Sequence, residues 1–228
     1  MVLFSILLIV AALVLGLWAQ ASVSSAFQEY SKVRSSSNLT GAEVARHILE
    51  SAQIHDVQVV EINGMLGDHY DPTTKRLCLS SETYNTPSVA AAGIAAHETG
   101  HAIQHARAYA PLQLRMKVVP ATQIVSQALP FIIIGGLFFH LLPGLLAMQL
   151  AAGCFGVLTV FQLITLPVEF DATRRAKIIL QHMSIIQPGA EAEGVNKVLN
   201  AAALTYVAAF LGALGQFLRF FALSQRRA

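Results

Sequence analysis

The sequence predicts a mainly α-helical membrane protein with four transmembrane helices and a small α+β domain between the first and second. Three observations lead there. Of 228 residues, 54% are hydrophobic and only 12% are charged, about half the charged share of an ordinary soluble domain. The apolar residues are gathered into blocks long enough to cross a bilayer. One stretch, residues 22–117, holds most of the polar remainder.

Residues 1–21 form the first span. Positions 2–19, VLFSILLIVAALVLGLWA, carry no charge. AQA at 19–21 has the form of a signal-peptidase site, but no Lys or Arg precedes the run and it exceeds a typical leader core. It is read as a retained anchor. Residues 118–166 also lack charge, and HLLPG at 140–144 breaks them into spans over 118–140 and 144–166, joined by a tight turn at Pro143-Gly144. The fourth span, 199–223, has one charge, Arg219, near its far end, where it can snorkel. Any one block could be a buried core helix, but four in so short a chain point to the membrane.

Within 22–117, Thr40 is placed to cap a helix over 41–53, with Glu43 completing a capping box and Val44, Ile48 and Leu49 on one face. VQVVEI at 57–62 alternates like a strand, 63–75 is rich in Gly, Asn, Asp and Pro and reads as turn and loop, and RLCLS at 76–80 reads as a second strand. That second strand could offer an edge to an extended substrate. Thr86 as N-cap and Pro87 at the first helical position then open a helix expected to reach Ala108. The two cysteines, Cys78 and Cys154, fall in different segments and imply no disulfide framework. NLT at 38–40 is read as a chance match to a glycosylation site. A net charge of +2 with no basic, aromatic-interleaved cluster argues against nucleic acid.

The chemistry lies in AAHETGHAIQHA, residues 95–106. On a helix, His97 and His101 lie one turn apart on one face and can reach one ion. Glu98 is rotated about 100° from His97, near such an ion without binding it, which suits a base that takes a proton from water beside zinc. His105 is two turns from His97, about 12 Å along the axis, and three ligands of one tetrahedral zinc cannot be strung out so. Gln104 and Arg107 stand where the metzincin pattern needs Gly and His. The expected third ligand lies beyond the hairpin, in the 167–198 segment that a two-span hairpin returns to the same side. Pro167 can open a helix there with Glu169 in its first turn, the first charge after the long uncharged stretch. Asp171 is the rival, and a helix-capping carboxylate is the plain alternative. Arg174 and Arg175 are equally explained as interface anchors.

DHYDP, SVAAAGIAAHETGHAIQ and LPVEFDATRRA, in this order, resemble the YugP-like membrane neutral zinc metallopeptidases of bacteria. The resemblance spans most of the chain, and more remotely it is similar to the HtpX-like and CAAX-prenyl membrane proteases. It implies a zincin-like catalytic domain with one Zn2+ per chain, held by His97, His101 and Glu169, and with Glu98 as catalytic base. One departure stands out. Where the remoter relatives carry an aspartate that orients a ligating histidine, this chain has Thr173, which leaves that task to Asp171, another side chain or a backbone carbonyl. In GDHYDP, one of Asp68, His69, Tyr70 and Asp71 could stabilise an oxyanion, though turn chemistry explains them more simply.

The expected function is hydrolysis of peptide bonds by a zinc-activated water, on peptide or membrane-protein substrates at the lipid bilayer. The alternative is a non-proteolytic zinc-binding scaffold or sensor, which would not need Glu98; a transporter would want ionisable groups within its spans. For orientation, Lys32, Arg34, Arg115, Lys117, Arg174, Arg175, Lys177 and Lys197 fall on the cassette side and Arg226 and Arg227 on the other. The balance predicts a cytoplasmic catalytic domain with both termini outside, and the resemblance implies the inner membrane of a bacterial cell.

Overall fold

A computed structural model describes residues 1–64 and 67–225, so Arg226 and Arg227, used above for orientation, lie outside the described residues. In chain order the elements are α1 (Val2–Tyr30), α2 (Gly41–Ser51), β1 (Gln58–Ile62), β2 (His69–Asp71), β3 (Arg76–Ser80), α3 (Ser81–Asn85), α4 (Val89–Ala106), α5 (Ala110–Phe131), a π-helical segment (Ile132–Phe138), α6 (Gly144–His182) and α7 (Ala190–Gln225). They divide into two compact units.

The first unit comprises Met1–Trp18, Gln113–Pro167 and Leu204–Ala228. Among the described residues, the helices long and apolar enough to cross a membrane number four: α1, α5 running on to Gly136, α6 and α7. Large apolar side chains such as Leu3, Phe4, Leu13, Ile124, Phe131 and Val160 point outward. Water would oppose that surface, and lipid solvates it. Contacts inside the unit are made by small residues and rings: Gly212 meets the Ala12 methyl, and Phe155 stacks on Phe220 at 5.5 Å. Pro130 withholds one helical donor, and directly after it the backbone widens to π geometry, with the Phe139 amide donating to the Ile134 carbonyl at 3.1 Å.

The second unit draws on two stretches, Ala19–Leu112 and Val168–Ala203, so the polar domain is not built from the segment between the first two spans alone. Its sheet has the order β1-β3-β2, with β1 parallel and β2 antiparallel to β3. The strand expected to offer an edge, 76–80, is therefore the central one. It is covered on one side by β2, a short strand in the segment expected to be loop. Asp68 explains that pairing: its carboxylate accepts the Ser80 amide at 2.8 Å and pins the start of β2 against the end of β3. Leu77 and Leu79 of β3 are fully buried with Val44 and Ile48 of α2, Val89 of α4, Leu180 of α6 and Val195 of α7. Each such side chain contributes roughly 2 kcal/mol by leaving water.

The helix over 41–53 forms as Gly41–Ser51, with Thr40 and Glu43 exchanging both bonds of the capping box. The helix expected from Thr86 starts later. Ser88 is its N-cap, accepting from the Ala91 amide at 3.1 Å, while Thr86 closes α3 and the Pro87 carbonyl accepts from the Ser35 amide. Pro87 is thus drawn into a chain crossing, and the next hydroxyl takes over the capping. Nor does Pro167 open a helix: α6 continues through it from Gly144 to His182. A proline inside a helix forfeits one backbone bond, which the long flanking helix absorbs.

Candidate metal centre

α4 is rich in alanine, and Ala92, Ala95, Ala96 and Ala102 are fully buried, so neighbouring helices approach it closely. Closest is α6. A Cβ added at Gly100 would sit 3.0 Å from the Ala172 carbonyl oxygen and 3.3 Å from its Cα. Glycine inside HETGH thus allows the two backbones to pack together, and Glu169, three residues before Ala172, comes over the two histidines. Its Oε2 lies 3.4 Å from His97 Nε2 and 3.5 Å from His101 Nε2. One donor atom from each of the three residues falls within 4.8 Å of the others, and Glu169 is buried to 2% exposure.

The imidazoles stand nearly perpendicular, at 86°, and each is held through its other nitrogen. His101 Nδ1 is 3.0 Å from Gln104 Oε1. The Gln104 amide nitrogen donates to the Val168 carbonyl at 2.8 Å and to Asp171 Oδ2 at 3.0 Å. Both of those partners only accept, so the Gln104 oxygen must face the histidine and receive its proton. His97 Nδ1 is 3.3 Å from Thr173 Oγ1. A neutral imidazole has one ring proton. Placed on Nδ1 in both rings, it leaves both Nε2 lone pairs directed at the point Glu169 shares.

This donor set fits zinc. Ligands about 2.0–2.2 Å from a tetrahedral zinc stand about 3.4 Å apart, close to the two separations involving Glu169. Two neutral imidazoles and one carboxylate also satisfy its preference for nitrogen and hard oxygen, and three protein ligands leave one position open. Asp171 is outside the set. Its oxygens accept from Arg174 at 2.6 Å, from Arg175 at 2.5 Å and from Gln104. The histidine-orienting task left open by Thr173 is therefore divided. Thr173 serves His97 itself, and Asp171 serves His101 at one remove through Gln104.

Glu98 lies beside the cluster and half-buried. Its Oε2 accepts the Tyr70 amide at 3.0 Å, which leaves Oε1 for other work. Burial pushes its pKa up, with the charges of Glu169 and Asp68 acting in the same sense and the two histidines opposing. His105 stands apart from the three donors, with Nδ1 2.8 Å from the Tyr70 hydroxyl. Burial, with the charges of Asp56 and Asp71, holds the Tyr70 pKa up at about 12, so this hydroxyl stays a donor near neutral pH. Its three neighbours serve the loop. Asp68 binds Ser80, His69 Nδ1 meets the Gly67 carbonyl at 2.7 Å, and Asp71 accepts from Thr73 and Thr74.

A family model described as "Putative neutral zinc metallopeptidase" matches residues 5–225, nearly the whole chain and all of the residues just described. The chain belongs to this family. A curated relative from Bacillus subtilis (strain 168), the "Putative membrane protease YugP", is 47% identical over 215 residues, covering 94% of each chain. No solved structure matches. Membership brings zinc to a donor set that suits it, and the relative's name agrees with a membrane protein.

Two features of this family member were not read from its sequence. In the sequence Gln104 reads as a departure from the metzincin pattern, although it lies three residues after His101 and so on the same helical face. The Tyr70 amide carries no sequence signal, since its role depends on β2 pairing with β3.

Proposed function

We propose that this chain is a membrane-embedded zinc-dependent endopeptidase. The observation that carries the reading is the convergence of His97 Nε2, His101 Nε2 and Glu169 Oε2, with the Glu98 carboxylate close enough to feel the charges of all three. His97, His101 and Glu169 would hold one zinc. The metal, when bound, supplies Lewis acidity that polarises a scissile carbonyl and makes water more acidic.

The chain's own residues do the rest. Glu98, fixed by the Tyr70 amide through Oε2, uses Oε1 to take a proton from the attacking water and returns it to the departing amine. Its raised pKa lets it carry the proton between these steps. Gln104 and Thr173 keep the histidines in the tautomer that binds metal. The substrates in this reading are peptides or membrane proteins. The catalytic unit faces the cytoplasm of a bacterial cell, as the excess of Lys and Arg on its segments supports.

Glu98→Gln tests the reading, because it keeps the shape and removes the base. The full chain in detergent is given a fluorogenic casein, and bound zinc is measured on the same samples. Wild type should cleave, and the variant should lose at least about a hundredfold in rate while keeping its zinc. Undiminished cleavage by the variant would remove Glu98 from the mechanism. A wild type that holds zinc but cleaves no peptide would favour the scaffold or sensor.

A further inference from the structure

Away from the metal centre, α2, α4 and α6 enclose a cavity of about 370 Å³. Its apolar wall includes Ile48, Ile103 and Ile179, and its rim carries Arg107, Arg174 and Arg175. The charges do not balance. Arg174 and Arg175 share a single carboxylate, Asp171, and Arg107 has no ion pair among the described residues. Three guanidinium groups, two on α6 and one just past the end of α4, therefore border an oily recess while holding one anion between them.

We propose that this cavity binds a phosphate-bearing amphiphile, with the phosphate on the arginines and the aliphatic stem along the isoleucines. Guanidinium forks match phosphate oxygens in pairs, and a phosphate offers enough acceptors for several forks at once. A carboxylate has only two oxygens, and Asp171 already supplies one such group. The isoleucine wall gives the stem a place out of water, which a free phosphate would not use. Such a ligand would share a hydrogen-bonded chain with the metal centre, because Asp171 links Arg174 and Arg175 to Gln104 and so to His101. Arg107 lies outside that chain, and its substitution leaves the chain untouched.

Native mass spectrometry of the zinc-loaded full chain, released from maltoside micelles, tests this without any cleavage assay. The probes are dihexanoyl phosphatidate, inorganic phosphate and dihexanoylglycerol. Dihexanoyl phosphatidate should give one saturable adduct, weakened about tenfold or more by Arg107→Glu. Arg46→Glu, the same charge reversal at a residue bonded to Tyr84, should leave the adduct unchanged. Inorganic phosphate should bind at least tenfold more weakly than the amphiphile; equal binding would make free phosphate the ligand and overturn the role of the stem. Equal binding of dihexanoylglycerol, an equal effect of the two reversals or no saturable adduct would each overturn the site.

Discussion

The two histidines of the centre are supported very differently. His101 stands on a chain of buried polar groups: Gln104 accepts from it and is tied to the Val168 carbonyl and to Asp171, which is clamped by Arg174 and Arg175. His97 has one hydroxyl, Thr173, at 3.3 Å. A ring held by a relayed carboxylate is the more basic and the better oriented. The His101 side is therefore the rigid half of the site, and the His97 side the half free to adjust. Both depend on Glu169, which meets them at one oxygen. The largest effect should come from removing that shared partner. Glu169→Ala should purify with essentially no zinc, whereas His105→Ala should keep about one per chain by elemental analysis. A Glu169→Ala protein that keeps its zinc would show that the metal sits elsewhere.

Next in size is Gln104→Ala, which cuts the chain at its middle. It releases His101 and leaves the Val168 carbonyl and one Asp171 contact without the amide donor. Losing a group that orients a zinc-binding histidine typically weakens metal binding about 10–100-fold, and competition with a chelator measures it. The effect should exceed that of Thr173→Val on the His97 side. Equal losses would mean that the asymmetry is not energetic.

How much of this could be seen in the sequence depends on how far apart the partners lie. The two histidines and Glu98 lie within about one helical turn, so spacing alone places them as neighbours on α4. Glu169 is far along the chain, and what made it legible was topology: an uncharged hairpin must bring the chain back. The start of α2 was legible because the capping box is made within four residues. The start of α4 was not, because Pro87 is committed to Ser35, and no local pattern reports that. β2 was hidden for a similar reason: its three residues pair with β3, and the bond from Ser80 to Asp68 beside them is not a local pattern. Gln104 stood in view, but its role needed the Val168 carbonyl, which is exposed to it only where α4 and α6 close together at Gly100.

The asymmetry also predicts a pH dependence. Burial disfavours the charged form of His101, yet Glu169, Glu98 and Gln104 prevail and hold its pKa above the ordinary 6.5 in the metal-free protein. A proton and zinc compete for the same Nε2. The raised pKa means that the proton begins to win at a pH where an ordinary imidazole is still neutral. Apparent zinc affinity should therefore be fully developed in mild alkali. It should fall as pH drops towards and through 6.5, by up to about tenfold per unit for each proton displaced. Affinity that stays level from pH 8 to 6 would mean that His101 is not protonated in competition with the metal.

The smallest effect is the most pointed, because it strengthens the weaker half. Thr173→Asp would put a carboxylate where the remoter proteases carry one, within reach of His97 Nδ1. A carboxylate accepts that proton more strongly than a hydroxyl, so His97 becomes a better ligand, and zinc should bind a few-fold more tightly. Arg174 follows directly in the sequence, and its guanidinium already serves Asp171, so the new carboxylate would also draw on that arginine. Measuring Gln104→Ala in the Thr173→Asp background separates the two contributions. If the histidines act independently, the loss from Gln104→Ala is the same in both backgrounds. If the new aspartate pulls Arg174 from Asp171, the chain behind His101 is already slackened. Removing Gln104 then costs less, and the two halves of the site are coupled through one arginine.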